Sequence, residues 1–80
     1  MAQSTIRPKG IDARGSYCPS PLMELVRNIR EGNVGDVFEI WSSDWGSQRD
    51  IPRWAEKAGH QVLSIIHEKD YDRIVVRKSR

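Results

Sequence analysis

The sequence predicts an α/β (α+β) two-layer sandwich, a four-stranded mixed sheet with two helices on one face, in the order β-α-β-α-β-β. Three observations predict it. Two stretches repeat apolar residues at helical spacing, Leu22, Leu25, Val26 and Ile29 in one and Ile51, Trp54, Ala55 and Ala58 in the other. The last twenty residues hold two β-branched runs separated by Lys69-Asp70-Tyr71-Asp72, the pattern of an antiparallel hairpin. The chain has 80 residues, too few for two separate cores, so residues 1–80 read as a single domain.

Residues 1–4 and 79–80 are expected to fray. Thr5–Asp12 is the first strand candidate; Pro8 cannot donate to a ladder, so this strand belongs at an edge or is short. A loop through Gly15, Ser16 and Tyr17 leads to Cys18-Pro19-Ser20-Pro21. The first helix is predicted over Pro19–Arg30, with Gly32 as its stop. Val37–Ser42 reads as a strand, with Phe38 and Ile40 toward the helices and Trp41 on the opposite face. Ser43–Ser47 reads as a polar loop. The second helix is predicted over Gln48–Ala58. Pro52 has to sit in its first turn, so the regular helix is expected to start near Asp50 or Ile51. Gln61–Glu68 and Arg73–Arg77 are the closing strands. Strand order stays open.

Composition narrows the function. Thirteen Lys and Arg against eleven Asp and Glu give a net charge of +2, too weak to indicate nucleic acid by itself. No run approaches the ~20 apolar residues of a membrane span, and the first residues lack a secretory layout. With one cysteine there is no internal disulfide, and the usual structural zinc sites are excluded. The single cysteine fits a reducing cytosol, so a cytoplasmic location is expected. A multi-step enzyme with a deep pocket is hard to build at this size.

Cys18 is the reactive group with a strong local signal. Prolines are tolerated in a first helical turn, where their missing N–H has no intrahelical partner. With Pro19 as the first helical residue, Cys18 is the N-cap and Pro21 occupies the third position. The sulfur then lies at the positive end of the helix, which favours a thiolate and would steady a terminal persulfide. The prolines stiffen the segment and leave Ser20 and Leu22 as the first-turn donors, enough to hold one sulfur but not to envelop a phosphate. The plainer reading is a buried small hydrophobe. No catalytic triad is evident; His60 and His67 read as structural or surface residues.

These residues resemble the TusA/SirA-like family of small sulfur-carrier (sulfurtransferase) proteins, from about Ile11 to Val76. The centre of the likeness is Cys18-Pro19-Ser20-Pro21, preceded by Asp12-Ala13-Arg14-Gly15 and followed by Gly32, Asp44, Asp50-Ile51-Pro52, Trp54-Ala55 and Gly59-His60. The resemblance implies a sulfurtransferase-type carrier with sulfane sulfur held as a persulfide on Cys18, and no resident cofactor or metal. It implies a cysteine desulfurase or rhodanese-like sulfur donor and a downstream sulfur acceptor protein. The routes open to the family are a relay toward tRNA thiolation, molybdenum-cofactor maturation and dissimilatory sulfur oxidation. One departure stands out: many members have Asp-Pro after the second strand, where this chain has Asp44-Trp45-Gly46.

Arg14, Arg27, Arg30, Arg49 and Arg53 are candidates for a positive surface beside Cys18, with Trp45 as an aromatic at its margin. Arg49 and Arg53 are four apart and share a helix side. Arg14, Trp45, Arg49 and Arg53 are thus the candidate docking residues, and a membrane or direct nucleic-acid role is not expected. Asp12 and Asp44 are expected to accept loop amides, and Asp50 to cap the second helix. A regulatory or protein-binding module with an inert cysteine is the alternative; a thiol redox enzyme ranks below it, for want of a second cysteine.

Overall fold

The computed structural model describes residues 8–17 and 19–80. The elements run β1 (Lys9–Asp12), α1 (Ser20–Glu31), β2 (Val37–Ser42), α2 (Trp45–Lys57), β3 (Gln61–His67) and β4 (Asp72–Arg77). They form one open four-stranded sheet in the order β1-β2-β4-β3. β1 and β2 are parallel, and β4 is antiparallel to both of its neighbours. This is the mixed sheet with two helices on one face that the periodicities predict. The structure supplies the strand order that they left open, and it places β1 at an edge. The strand starts at Lys9, so Pro8 precedes it, and residues 5–7 of the expected Thr5–Asp12 strand lie outside the described residues.

The core lies between sheet and helices. Phe38 and Ile40 of β2 and Ile74 and Val76 of β4 face Leu25 and Ile29 of α1 and Ile51 and Ala55 of α2. Ile11 and Ala13 close the core on the β1 side, and Leu22, Trp54 and Val62 pack at its margin. Phe38 pairs with Val76 and Ile40 with Ile74 across the ladder, so one register buries both pairs on the helix side. Trp41 stands on the opposite, partly wet face, as its phase in β2 requires.

Two helix boundaries differ from expectation. α1 starts at Ser20, with Pro19 as its N-cap residue and Pro21 in the first turn. The helix is therefore shifted by one position, and its N-cap is Pro19, which forms no side-chain cap bond. α2 starts at Trp45, five residues before the expected Asp50. Its N-cap is Asp44, and Pro52 lies inside the helix rather than in its first turn. Proline at position 52 has no N–H to give the Gln48 carbonyl. The turn before it persists because its start is tied down: Asp44 accepts from Ser47 N and from Ser47 Oγ, both at 2.9 Å, and Gln48 Nε2 donates to the Ser42 carbonyl at 2.8 Å. The expected polar loop at Ser43–Ser47 is thus mostly helix.

Gly32 closes α1, but not through a left-handed conformation, since its φ is −89°. A side chain there would come within 2.7 Å of the Phe38 ring, so close approach explains the glycine. Gly59, with φ +85°, does take the left-handed conformation after α2.

Candidate functional site

β1 and β2 run parallel, and each feeds a helix from its C-terminal end. Both helix N-termini therefore sit at one edge of the sheet. Ala13 N donates to the Trp41 carbonyl at 2.9 Å, extending the β1–β2 pairing by one residue, and Gly15 N donates to Ser43 Oγ at 2.9 Å. The loop before α1 is thereby bonded to the loop before α2. Cys18, the expected reactive residue and N-cap, lies outside the described residues; the residues on either side of it are described. Tyr17 is exposed, its carbonyl accepts from Ser20 N at 2.8 Å, and Pro19 accepts from Met23 N at 2.9 Å. Ser20 N–H is thus spent on backbone instead of standing open, as the count of first-turn donors had it. Pro21 is fully buried and anchors the first turn of α1 to the core.

Of the acidic residues, Asp12 accepts from Arg14 three times: from its backbone N at 3.1 Å, from Nε at 2.9 Å and from Nη2 at 2.9 Å. These hydrogen bonds hold the Asp12 carboxyl down at about 2 and raise the Arg14 pKa. Asp44 caps α2. Asp50 lies one turn inside α2, where its carboxylate pairs with Arg49 Nε at 3.2 Å; the capping role expected of it belongs to Asp44.

Among the candidate docking residues, Trp45 and Arg49 form a unit. Trp45 is 72% exposed at the first position of α2, and the Arg49 guanidinium lies 4.9 Å from its ring centroid, one turn along. Arg53 is exposed a further turn on and borders a shallow groove floored by Leu22 and Trp54. Arg14 is elsewhere. It turns to the outer sheet face, away from α2, where its guanidinium carbon is 5.0 Å from the Trp41 centroid and 5.0 Å from that of Tyr71.

Several residues that the sequence reading did not single out belong to this edge. Ser43 makes the bond between the loops. Tyr71, in the β3–β4 turn, holds Arg14. Met23, 64% exposed in the first turns of α1, adds apolar surface to a groove that it lines with Leu22 and Trp54. None carries a local signal: a serine in a polar loop and a tyrosine in a turn look like any others until the fold brings their partners to them.

The family model described as Sulfurtransferase TusA matches residues 9–78. A protein of Archaeoglobus fulgidus described as a candidate sulfur carrier is 53% identical over 68 residues, covering 85% of this chain and 93% of its own length. One of Thermotoga maritima with the same description is 37% identical over 57 residues, covering 71% of this chain and 72% of its own. The crystal structure of a SirA-like protein from Desulfitobacterium hafniense superposes with a TM-score of 0.76 at 21% identity, covering 89% of this chain and 97% of that one, a likeness of fold. Among the described residues no helix is long and apolar enough to cross a membrane. With a family model spanning the whole folded unit and a relative at over half identity along its length, the chain belongs to the TusA sulfurtransferase family.

Proposed function

We propose that this protein is a sulfur carrier that accepts sulfane sulfur on Cys18 as a persulfide and passes it to an acceptor protein. The observation that carries the reading is family membership over residues 9–78, with Cys-Pro-Ser-Pro at the α1 start. The geometry beside Cys18 supports it. A helix N-terminus, with its positive partial charge, begins at Ser20, two residues along the chain, and such a field favours thiolate and persulfide anions.

The transfer balances without an oxidant or reductant. The Cys18 thiolate attacks the outer sulfur of a donor persulfide, R–S–SH. A new S–S bond forms as the donor's S–S bond breaks. The sulfane sulfur keeps its proton, and the donor leaves as the thiolate R–S⁻. Release to the acceptor repeats the exchange, with an acceptor thiolate attacking the outer sulfur of Cys18–S–SH.

The donor in this reading is a cysteine desulfurase or a rhodanese-like protein, the acceptor a further relay protein, and the setting the cytoplasm; a route toward tRNA thiolation is one instance. Docking is assigned to the edge that carries both helix N-termini. Trp45, with Arg49 stacked on it, and Arg53 provide an aromatic and positive flank for an acidic partner surface. Intact mass after incubation with a persulfide donor tests the function. The expected result is a gain of one sulfur atom that a thiol reductant removes and that Cys18→Ser abolishes. Equal uptake by the Cys18→Ser chain would overturn it.

A further inference from the structure

The described residues between β1 and α1 give that segment little apolar anchorage of its own. Ala13 is buried, but Arg14, Gly15 and Tyr17 are exposed. Gly15 has φ +86°, a conformation that gives the chain its turn and does nothing to hold it. What fixes its described residues is polar: the Gly15 N–H bond to Ser43 Oγ ties it to the loop ahead of α2, and the Arg14 side chain ties it to β1, β2 and the β3–β4 turn.

Arg14 joins three parts of the chain. Its guanidinium forms a paired salt bridge to Asp12 at the end of β1, with Nη2 at 2.9 Å from Oδ2. It also sits at the apex of a triangle with two rings. Its carbon is 5.0 Å from each centroid, and the Trp41 and Tyr71 centroids are 6.4 Å apart. Trp41 lies near the C-terminal end of β2 on the outer face, and Tyr71 belongs to the turn between β3 and β4. These supports are themselves braced. Trp41 Nε1 donates to Glu39, Arg73 bridges Glu39 and Glu68 at 3.5 and 3.1 Å, and Glu68 N donates to the Tyr71 carbonyl at 2.8 Å. A planar guanidinium that pairs two nitrogens with a carboxylate while lying against aromatic rings is a task lysine does not reproduce.

We propose that Arg14 is a positioning residue for sulfur transfer: by tying the segment ahead of Cys18 to β2 and to the β3–β4 turn, it holds that segment in the pose from which the cysteine reacts. The inference rests on Cys18 being the carrier residue. It separates Arg14 from the docking residues, because its contacts lie on the outer sheet face, against Trp41 and Tyr71. Releasing it frees the segment without opening the core, since the core in this region consists of Ile11 and Ala13. The consequence is a slower chemical step in a folded, partner-competent protein.

Single-turnover transfer from a persulfide-loaded cysteine desulfurase, at rising donor concentration, tests this. Arg14→Lys and Tyr71→Leu should each lower the limiting rate constant, by about tenfold for a shift of a fraction of an ångström. The amplitude and the half-saturating donor concentration should stay at the wild-type values. Tyr71→Phe keeps the ring and should keep the wild-type rate. Wild-type rate constants in Arg14→Lys and Tyr71→Leu would overturn the proposal. So would a loss of amplitude at unchanged rate, which marks destabilisation, or a rise in half-saturation alone, which marks docking. Cys18→Ser in the same assay separates the layers. If it still accepts sulfur, the carrier reading falls and this inference with it. If it is inactive while the Arg14 variants run at full speed, only the inference falls.

Discussion

The backbone N–H of Gly15 donates to the Ser43 hydroxyl at 2.9 Å, and through that bond the loop ahead of α1 is held by the loop ahead of α2. The two residues come together because β1 and β2 are parallel neighbours, so the chain leaves both strands at the same edge. Removal of the acceptor in Ser43→Ala should cost about 0.5–1 kcal/mol, the worth of one solvent-accessible hydrogen bond. It should also raise hydrogen exchange at the Gly15 amide selectively. Unchanged Gly15 exchange would show that the bond does not hold the loop.

Asp44→Ala should destabilise the protein by about 1–2 kcal/mol in urea unfolding, through loss of the α2 cap. Asp44 Oδ2 accepts from both Ser47 N and Ser47 Oγ, and Ser47 is fully buried, so the variant strands a buried hydroxyl as well as an amide. Asp44→Asn retains an acceptor oxygen and should recover much of the loss. Equal stability of the alanine variant and the wild type would remove Asp44 as the cap that holds the Trp45 end of α2.

Gly32→Ala should be destabilising by about 1–3 kcal/mol, the usual cost of overpacking a core. The added Cβ would come within 2.7 Å of Phe38 Cζ, and Phe38 is fully buried with nowhere to move. Combining it with Phe38→Leu should relieve part of the clash, so the two changes should be non-additive in a double-mutant cycle. Simple additivity would mean that the glycine is kept for another reason.

Charge reversal at both Arg49 and Arg53 should slow association with an acidic donor about tenfold at low ionic strength, with the difference shrinking as salt rises. The two residues lie on the exposed side of α2, so the fold should be unaffected. Stopped-flow transfer kinetics across salt concentrations read both quantities. Identical association rates in the variant and the wild type would move the docking surface elsewhere.

Acid should weaken the fold through His60. Its Nδ1 accepts from Ser79 N at 3.1 Å, which requires that nitrogen to be unprotonated. Burial, and secondarily the charges of Lys78 and Arg80, lower its pKa from the usual 6.5. A depressed pKa means that the unfolded chain binds the proton first. The stabilisation is therefore complete above about pH 6.5 and is lost as pH falls through that value toward the folded pKa. In His60→Phe, which keeps a ring near Trp54, stability should no longer carry this slope. The same slope in the variant, measured by urea midpoints between pH 5 and 7.5, would exclude His60 as its source.

Much of this protein follows from local pattern alone. The apolar spacing of Leu25 with Ile29 and of Ile51 with Ala55 marks the two buried helix faces, and alternation in β2 puts Phe38 and Ile40 inward and Trp41 outward. Such patterns are legible because burial imposes one period on a helix and another on a strand. Cys18-Pro19-Ser20-Pro21 points to the edge of interest for a similar reason, since prolines cluster where first-turn amides need no partner. The same reasoning placed the start of α1 one residue early and the start of α2 several residues late. Proline at position 52 is a local stop signal, and it was outweighed by contacts from Asp44, Ser47 and Gln48 that only the folded strand–helix junction assembles.

What tertiary structure alone decided is which distant residues meet. Strand order is a matter of long-range pairing, on which hydropathy periods are silent, and it brings Ser43 to Gly15 and Tyr71 to Arg14. Arg14 shows the difference most directly. In the sequence it is one of several arginines near a cysteine, free to be read as docking charge. In the fold Asp12 pairs with it and two rings receive it, because β1 ends beside β2 and the β3–β4 turn returns to the same edge.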